Sequence, residues 1–516
     1  MKHISCALWV LTMFLYSCQS STPQGPATPP NIIYILADDL GYGELGSYGQ
    51  SLIETPHLDQ LAASGMRFTQ HYSGAPVCAP ARCVLLTGKH AGHAHIRGND
   101  EWRERGDVWD FKAMFDDPNL EGQRPIPDEE ITIGEILQEN GYQTACVGKW
   151  GLGAPYTEGV PNKQGFDFFY GYNCQRQAHT FYPLHLWKNE ERVLLNNELV
   201  PPRTPLDEGA DPTDSASYAK YTLTDYSAEL MQEEVIGFVE RNKEQPFFLY
   251  YASPIPHVPL QAPKRWIDYY REKIGPEQPY VQGSYFPTQY PRATYAAMIS
   301  YLDEQVGELI DRLKALGLYD QTLIIFSSDN GPTYTGGADT KFFDSAGPFS
   351  EDEGWGKGST HEGGIRVPMI ASWPGKIAPG TFSDHISIFY DVMPTLCDVV
   401  KAQIPDDRDG ISFLPTLLGK DSDQKVHEFL YWEFPAYHGQ QAVRMGKWKG
   451  MRQNIFEGNL DIELFNLEQD PQELIDLASE NVEMVRAIEQ IMEQAHEPAE
   501  LERFKIAQLG DKVDGK

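Results

Sequence analysis

The sequence predicts an α/β fold with a largely parallel central sheet flanked by helices, followed by a smaller C-terminal α+β subdomain. Short apolar runs alternate with longer amphipathic segments along residues 31–400, which is the order of elements typical of a parallel sheet. The runs contain few polar residues, as expected for strands that are covered on both faces. Beyond residue 427 the pattern changes to short alternating strands and a final helix.

Each element has a local signal. Residues 31–37 (NIIYILA) are a continuous apolar run that predicts a buried strand. Thr55 and Pro56 favour a helix start and Gly65 a helix end, which predicts a helix up to residue 64. Apolar periodicity places the other strands at 66–72, 142–147, 246–252, 323–327, 428–433, 441–445 and 448–452, and the other helices at 131–140, 224–242, 292–316 and 482–494.

Composition divides the chain into five parts. Residues 1–18 are interpreted as a leader, and residues 19–30 (QSSTPQGPATPP) as a Ser/Thr/Pro-rich tether. Residues 31–400 carry the alternating pattern and are predicted to form the main domain. A Pro/Asp/Gly-rich stretch at 401–426 is interpreted as a linker, and residues 427–516 as the C-terminal subdomain.

The leader predicts export. A short basic start precedes an apolar run at 4–16, which is shorter than the about 20 apolar residues of a membrane span. Residues 15–18 (LYSC) resemble a bacterial lipobox, in which Cys18 is lipidated and becomes the mature N-terminus. We therefore predict a periplasmic or cell-surface lipoprotein of a bacterium, held at a membrane only through the lipid. The alternative is simple cleavage near Ser20 and release of the protein.

The charge of the chain limits its partners. There are 42 Lys+Arg and 74 Asp+Glu among 516 residues, which gives a formal net charge of −32. This acidity argues against nucleic acid or an anionic membrane surface as a partner, because their binding sites are basic. An anionic substrate would need positive charge concentrated at its site. Apolar residues make up 41% and charged residues 22%, as in folded globular proteins.

Two predicted strands end in acidic or amide side chains. Asp38 and Asp39 follow the first strand, and Asp329 and Asn330 follow the strand at 323–327. Ligands of open α/β sheets bind at the carboxyl ends of strands, so we expect these four side chains to meet. Their oxygens suit a hard cation such as Ca²⁺ or Mg²⁺. Taken alone, each pair is equally consistent with a turn or a helix cap.

A cysteine precedes a predicted helix in residues 78–82 (CAPAR). A helix N-terminus stabilises negative charge on a nucleophile, and Arg82, one turn further on, adds a positive charge. Cys78 is therefore interpreted as an activated nucleophile beside the cation site, with a buried structural cysteine as the alternative. Seven cysteines are present, and the five beyond residue 18 show neither a disulfide framework nor a zinc spacing.

The Cys78 segment, C-x-P-x-R followed by Leu-Thr-Gly, resembles the signature of the type I, formylglycine-dependent sulfatases in the alkaline phosphatase superfamily. The resemblance covers roughly residues 31–400, with a familiar tail at 463–471 (ELFNLEQDP). Ala81 departs mildly from the Ser that is more frequent in the family. The remaining motifs follow in the family's order: 37–41 (ADDLG), 148–150 (GKW), 256–259 (PHVP), 328–331 (SDNG) and 356–368 (GKGSTHEGGIRVP).

The resemblance implies a sulfuric ester hydrolase of the sulfatase or arylsulfatase type. It implies that a formylglycine-generating maturation enzyme oxidises Cys78 to formylglycine (3-oxoalanine), whose hydrate attacks sulfur. It also implies one Ca²⁺, and His257 as the general acid for the leaving oxygen. The implied metal ligands are Asp38, Asp39, Asp329, Asn330 and the modified Cys78, and the implied positive charges around the sulfate are Arg82, Lys149 and Lys357.

One motif departs from the family pattern. The run 148–150 often continues with a histidine that is thought to handle the diol's proton, whereas this chain has Gly151. The resemblance leaves open whether the metal alone makes the diol acidic enough or another base replaces the histidine. Histidines near in sequence are His90, His93, His95 and His179.

The aromatic segment 172–187 (YNCQRQAHTFYPLHLW) combines ring faces with Arg, His and Asn, which suits a sulfated sugar. We expect His179 to bind the substrate, and export favours sulfated carbohydrate as the substrate. The alternative for this segment is a packed loop over the core. The alternative functions are a phosphatase, phosphodiesterase or phosphonate hydrolase of the same superfamily, or a non-catalytic surface lipoprotein that binds glycans.

Overall fold

The computed structural model describes residues 29–350 and 355–513. Its strands are β1 Asn31–Ala37, β2 Met66–Tyr72, β3 Gln143–Lys149, β4 Phe168–Tyr172, β5 His185–Lys188, β6 Glu191–Leu194, β7 Phe247–Ala252, β8 Thr322–Ser328, β9 Arg366–Ser372, β10 Thr381–Ser383, β11 Ser387–Ile388, β12 Leu430–Phe434, β13 Gln440–Met445, β14 Trp448–Gln453 and β15 Glu463–Asn466. Its helices are α1 Pro56–Ala63, α2 Cys78–Thr87, α3 Phe111–Asp116, α4 Ile133–Glu139, α5 Ser227–Arg241, α6 Lys264–Ile274, α7 Pro291–Ala315, α8 Thr340–Phe343, α9 Glu362–Ile365, α10 Val392–Val400, α11 Leu414–Leu417 and α12 Val482–Ala495.

A large mixed sheet has the strand order β10-β2-β9-β8-β1-β7-β3-β4-β5-β6, with β11 also paired to β2. Its central strands β8, β1, β7, β3 and β4 are parallel. Antiparallel pairs occur on both sides of them, where β9 lies between β8 and β2, and where β5 lies between β4 and β6. The predicted α/β fold with a largely parallel sheet is confirmed.

Strand β1 shows why an uninterrupted apolar run was needed. All its residues are buried, and successive side chains point to opposite faces of the sheet. Tyr34 and Leu36 belong to one core, which α2, α4 and α10 cover, whereas Ile33 and Ile35 belong to the other, which α1, α5 and α7 cover. Each face therefore requires apolar side chains.

The C-terminal residues form a separate antiparallel sheet in the order β12-β13-β14-β15. Helix α12 packs on one face, where Ile488 and Met492 meet Tyr431 and Val443. From the other face, Trp432 enters the core of the large sheet. The predicted smaller α+β unit is thus present, and it shares a core with the main sheet.

The segment 401–426 packs against the same core. Phe413 and Leu417 are fully buried in it. The apolar positions within this stretch explain the packing, although its Pro, Asp and Gly content suggested a linker. The domain boundaries stay predictions.

The predicted and observed ends of the other elements differ by up to three residues. Strand β3, for example, extends beyond the predicted residue 147 to Lys149, because it pairs with β4 on one side and β7 on the other. No helix in the described part of the chain has the length and apolar character that crossing a bilayer requires. The predicted leader, tether and lipid site at Cys18 lie outside the described residues.

Candidate active site

The two acidic strand ends meet, as predicted. Strands β1 and β8 are adjacent, parallel and paired in register to their last residues, so the side chains that follow them lie next to each other. The backbone N–H of Asp39 donates to Oδ1 of Asp329 at 3.1 Å, and Nδ2 of Asn330 donates to Oδ1 of Asp39 at 2.8 Å. Asp38 and these three residues are fully buried.

Cys78 is the first residue of α2 and lies beside this cluster. Its Sγ–H donates to Oδ1 of Asp38 at 3.3 Å. The start of the helix is fixed in place because Oδ1 of Asn99 accepts a hydrogen bond from the N–H of Ala79 at 3.1 Å. The helix start predicted at this cysteine is therefore correct.

The surroundings of the unmodified thiol oppose its ionisation. Burial, followed by the charge of Asp38, raises the pKa of Cys78 above its usual value. The helix N-terminus is therefore outweighed by desolvation and by the adjacent carboxylate. These surroundings oppose formation of the thiolate, which is the nucleophilic form of cysteine.

Three positive side chains neutralise the three carboxylates. Nη2 of Arg82 lies 2.9 Å from Oδ2 of Asp329, and Nζ of Lys149 lies 2.5 Å from Oδ2 of Asp38. Nζ of Lys357 lies 2.7 Å from Oδ1 of Asp39. These interactions bring together all three predicted positive charges, from α2, from the end of β3 and from the loop before α9.

The charges at this centre shift the pKa values of its carboxylates in opposite directions. Burial opposes ionisation of Asp38, but Lys149 and His257 outweigh it and hold the pKa of this carboxyl well below its usual range. Burial and the neighbouring Asp38 raise the pKa of Asp329. Divergent pKa values of this kind within one buried cluster are typical of functional sites.

A cavity of about 400 Å³ reaches this cluster from the surface. Cys78, Lys149 and Lys357 line it, together with His179 and His257. Arg82 is fully buried and donates to the backbone carbonyl of Lys149 as well as to Asp329. Its position makes it a support for the carboxylates, whereas the two lysines face the cavity.

The two predicted site histidines are neighbours. The ring centroids of His257 and His179 are 5.1 Å apart, and Nε2 of His257 lies 3.7 Å from Oδ2 of Asp39. Nδ1 of His257 contacts the carbonyl of Val258 and therefore carries a proton, which leaves the lone pair on Nε2. Burial, then Lys357, lowers the pKa of His257 to about 3, and burial, then Arg176, lowers the pKa of His179 well below its usual value.

Gly148 and Gly151 have different amounts of space around them. A Cβ on Gly148, which has a φ of +121°, would lie 1.9 Å from the carbonyl oxygen of Ala252, so only glycine fits between β3 and β7. At Gly151 the nearest atom to such a Cβ is Oε1 of Gln175, at 3.6 Å. This amide oxygen is buried with no hydrogen-bond partner in the described chain. Gln175 therefore lies beside the histidine-free position, but an amide cannot take up a proton there.

The other candidate histidines lie elsewhere. His93 pairs with Asp409 at 3.0 Å and stacks on His90 at a centroid distance of 3.8 Å, whereas His95 pairs with Glu500. Nδ1 of His90 accepts a hydrogen bond from the N–H of Gly92, so in the neutral ring Nε2 carries the proton. Of the four histidines considered, only His179 reaches the cavity.

The residues at the strand ends fit a hard cation. Asp38, Asp39, Cys78 and His257 offer ligand atoms that all lie within 4.8 Å of one another. Oδ1 of Asn330 is buried and has no hydrogen-bond partner among the described residues, which is the state expected of a ligand atom. A carboxylate-rich, oxygen-dominated donor set suits Ca²⁺ or Mg²⁺ better than Zn²⁺.

Several residues of the cavity were missed by sequence reasoning. The described lining also includes Glu101, Arg103, Trp109, Arg203, Tyr285, Tyr437 and Arg503. The stretch 101–109 (EWRERGDVW) interleaves arginine with tryptophan, and this composition was the available signal. Nothing in the local pattern indicates that the stretch lies against residues 176 and 203.

The cavity places two lysines and Cys78 on one lining surface. The arrangement defines a site for the ester of a strong oxyacid, at the carboxyl ends of parallel strands. A sequence model named Sulfatase matches residues 30–402, and one described as N-sulphoglucosamine sulphohydrolase, C-terminal, matches residues 351–500.

Two human proteins with similar sequences are named as sulfatases, and a solved structure has a similar fold. Arylsulfatase A of Homo sapiens is 33% identical over 82% of this chain and 75% of its own length. N-acetylgalactosamine-6-sulfatase of Homo sapiens is 30% identical over 84% of this chain and 75% of its own length. The crystal structure of Ps i-CgsB in complex with k-i-k-neocarrahexaose has a TM-score of 0.70 and 27% identity, over 91% of this chain and 94% of that one.

The chain belongs to the sulfatase family. The predicted family and enzyme class, a sulfuric ester hydrolase, are confirmed. The individual roles assigned to site residues remain predictions.

Proposed function

We propose that this protein hydrolyses sulfate esters of carbohydrates with a formylglycine made from Cys78 and one Ca²⁺ held by Asp38, Asp39, Asp329 and Asn330. One observation carries the proposal: Cys78 begins a helix at the bottom of a cavity, in contact with a buried carboxylate cluster. The hydrate of this formylglycine would supply one hydroxyl to attack sulfur and a second whose deprotonation would re-form the aldehyde and expel sulfate. A cation held by these ligands would supply positive charge next to the sulfate.

The chain's own residues bind and orient the ester. Lys149 and Lys357 face the cavity and attract the sulfate, and their charges act strongly because the site is buried. Arg82 holds Asp38 and Asp329 in place through its ion pairs at 3.5 and 2.9 Å. A cation bound by these carboxylates would compete with Lys149 and Lys357 for their oxygens and would leave the two ammonium groups to the sulfate.

The properties of the thiol support its conversion. A cysteine with a raised pKa contributes little as a direct nucleophile. Oxidation to an aldehyde hydrate replaces the thiol with oxygen nucleophiles, which suit a hard cation. The maturation enzyme that carries out this oxidation is therefore a required partner.

The proton for the leaving sugar oxygen would come from His257. Its imidazole is neutral in the described structure because burial and Lys357 disfavour the charged form. A sulfate ester beside it adds negative charge and raises its proton affinity. Nδ1 keeps its proton on the carbonyl of Val258, so Nε2 would have to take up a proton when the ester binds and would then pass that proton to the leaving oxygen.

Carbohydrate as the substrate is supported by the cavity walls and by relatives. Tyr285 and Tyr437 offer aromatic faces, and the ring of His179 lies 5.3 Å from that of Tyr285. One relative is named N-acetylgalactosamine-6-sulfatase, and the similar structure of Ps i-CgsB is a complex with k-i-k-neocarrahexaose. Export as a lipoprotein through Cys18 would place the enzyme where external polysaccharides occur.

A phosphoryl hydrolase is the second candidate, since the crystal structure of a phosphonate monoester hydrolase shares the fold with a TM-score of 0.61 at 20% identity. The family match and the cysteine in place of a serine or threonine nucleophile disfavour it. The other cluster of metal-capable side chains in the described chain is His90, His93 and Asp409, outside the cavity lining. It supplies no second metal beside the first.

Mass spectrometry tests the proposal directly. After co-expression with a maturation enzyme, the tryptic peptide 68–82 should be lighter by about 18 Da, because an aldehyde replaces CH₂SH. The adjoining peptide 83–89 contains Cys83, which is equally buried in the same helix and should remain a thiol. Full activity with an unmodified Cys78 would refute the mechanism.

A further inference from the structure

The catalytic cavity has a second region of positive charge, separate from the lysines next to Cys78. Four arginines line its wall, Arg103, Arg176, Arg203 and Arg503. They come from three distant parts of the chain and converge on one cavity. In a chain with a net charge of −32, such a concentration requires a physical reason.

Trp109 organises two of these arginines. The guanidinium carbon of Arg203 lies 3.6 Å from the centre of the indole ring, and that of Arg176 lies 4.0 Å from it. The same ring contacts His179 at a centroid distance of 5.7 Å, and His179 contacts His257. The rings of Trp109 and His179 therefore connect the arginine pair to His257, the histidine that faces Asp39.

Carboxylates balance only part of this charge. Glu101 pairs with both Arg176 and Arg103, and Asp100 pairs with Arg503. Arg203 has no ion pair or hydrogen bond within the described ranges, and its guanidinium stacks on the tryptophan ring.

Arg176 also has a hydrogen-bond donor without a partner in the described chain. This donor is its buried Nε–H. Burial, with the nearby charge of Arg203, lowers the pKa of Arg176 to about 10. Two like charges are thus held close together on one ring, and a bound anion would relieve their repulsion.

We propose that Arg203 and Arg176, stacked on Trp109, bind a second anionic group of the substrate, a sulfate or a carboxylate, besides the sulfate that is cleaved. The proposal rests on the sulfatase function proposed above and specifies its substrate class as a sugar with at least two anionic groups. Guanidinium groups suit both anions because their planar N–H groups form paired hydrogen bonds.

A structural role alone does not account for Arg203. The side chain is exposed, and a cation over an aromatic ring at an exposed site contributes only about 0.5–1 kcal/mol. An ion pair with a carboxylate would fix the residue equally well. Stacking on Trp109 orients the guanidinium while leaving its N–H donors free for a ligand.

Inhibition measurements test this without knowledge of the natural sugar. The readout is hydrolysis of 4-nitrophenyl sulfate by the matured enzyme, inhibited by a monosulfated disaccharide, by its disulfated form, and by a form with a uronate carboxylate in place of the second sulfate. In the wild type at least one dianionic sugar should inhibit about 10- to 100-fold more tightly than the monosulfated one, the usual effect of a charge-assisted hydrogen-bond pair. The sugar that does so identifies sulfate or carboxylate as the second group.

Arg203→Ala should bring the inhibition constants of the dianionic and monosulfated sugars close together. Arg203→Lys should keep part of the difference between them. The matched control is Arg271→Ala, because Arg271 stacks on Tyr290 at 3.9 Å outside this cavity, and it should keep the full difference. The proposal is overturned if wild type does not distinguish dianionic from monoanionic sugars, or if Arg203→Ala retains the difference. A wild-type enzyme without any sulfatase activity would instead refute the proposed function.

Discussion

Asp39 shows how a single residue combines unusual backbone geometry with chemistry. Its φ of +68° lies in the left-handed region, which Asp and Asn tolerate better than other side chains except glycine. This conformation turns the chain at the end of β1 so that the carboxylate faces Lys357 and the amide of Asn330. Local strain of this kind is found where a site over-determines the backbone.

Asp39→Asn should therefore remove function while keeping the fold. Asparagine accepts the same φ and nearly the same volume, but it lacks the charge that a divalent cation needs. We expect loss of bound calcium by elemental analysis and loss of sulfatase activity, with the fold retained in the circular dichroism spectrum. Asp344→Asn is the control, because Asp344 is exposed and also has a positive φ, +53°. Full activity of Asp39→Asn, or of a metal-free enzyme, would contradict the cation role. Asp329→Asn should likewise lose bound calcium and activity.

His257→Ala should lower turnover on sugar sulfates by about 10²–10⁴-fold, the usual contribution of a general acid. The loss should be smaller on aryl sulfates with acidic leaving groups, which need little protonation. Paired kcat measurements on both substrate types give the answer. An equal loss on both would show that His257 binds sulfate rather than donating a proton.

His179→Ala is the companion variant, since an unchanged rate and pH profile would exclude His179 as the replacement base.

At the scale of elements, parallel register builds the site. Because β1 and β8 pair to their last residues, the polar side chains that follow them meet without any long loop. Strand β3 delivers Lys149 at its final residue, and α2 delivers Cys78 at its first. The chemistry therefore sits on element ends, which hold it more rigidly than loop tips do.

The motif around α9 has a structural role as well. Glu362 is fully buried, accepts a hydrogen bond from Tyr72, and pairs with Lys449 of β14 at 3.0 Å. Lys449 also lies 2.8 Å from Glu473. This buried network connects the small sheet to the segment that follows the Lys357 loop.

Lys449→Met should destabilise the protein by about 3–5 kcal/mol, because it leaves two buried carboxylates without their shared partner. Urea unfolding followed by fluorescence measures this free energy. Lys112→Met provides the comparison, since Lys112 forms an exposed ion pair with Asp116 and should cost less than about 1 kcal/mol. A similarly small loss for Lys449→Met would show that the network contributes little to the attachment of the small sheet.

At the scale of the whole molecule, charge is strongly separated. The chain is acidic overall, yet the described cavity lining holds six lysines and arginines against one carboxylate, Glu101. Such a cleft focuses the local potential and attracts anions despite the negative surface. Salt at about 0.15 M screens exposed charges beyond about 8 Å. The positive charge of the cavity should therefore attract sulfate esters mainly at short distances.

Buried histidines make global stability depend on pH. Burial, then His385, lowers the pKa of His71 to about 3, and its Nδ1 bonds to Ser387 at 2.9 Å. An unfolded histidine titrates near pH 6.5, so the unfolded state binds the proton first and stability falls as the pH drops from about 6.5 towards 3.

His71→Gln should reduce the stability lost between about pH 7 and pH 5 by roughly 2 kcal/mol, because the titrating group is gone. Urea unfolding at the two pH values measures the difference. His438→Gln, at an exposed histidine that bonds to Glu457, should leave the loss as in wild type. The idea fails if both variants lose as much stability as the wild type does.

The sequence alone determined the fold class, the family and which residues meet beside Cys78. Those residues lie on strand ends and a helix start, where periodicity, caps and motifs are local signals. Tertiary structure decided what depends on distant segments meeting: the raised pKa of Cys78, the position of Arg82 behind the carboxylates, and the packing of segment 401–426 into the core. It also decided that Trp109 meets Arg176 and Arg203, because burial and electrostatic fields are sums over neighbours that no local pattern contains.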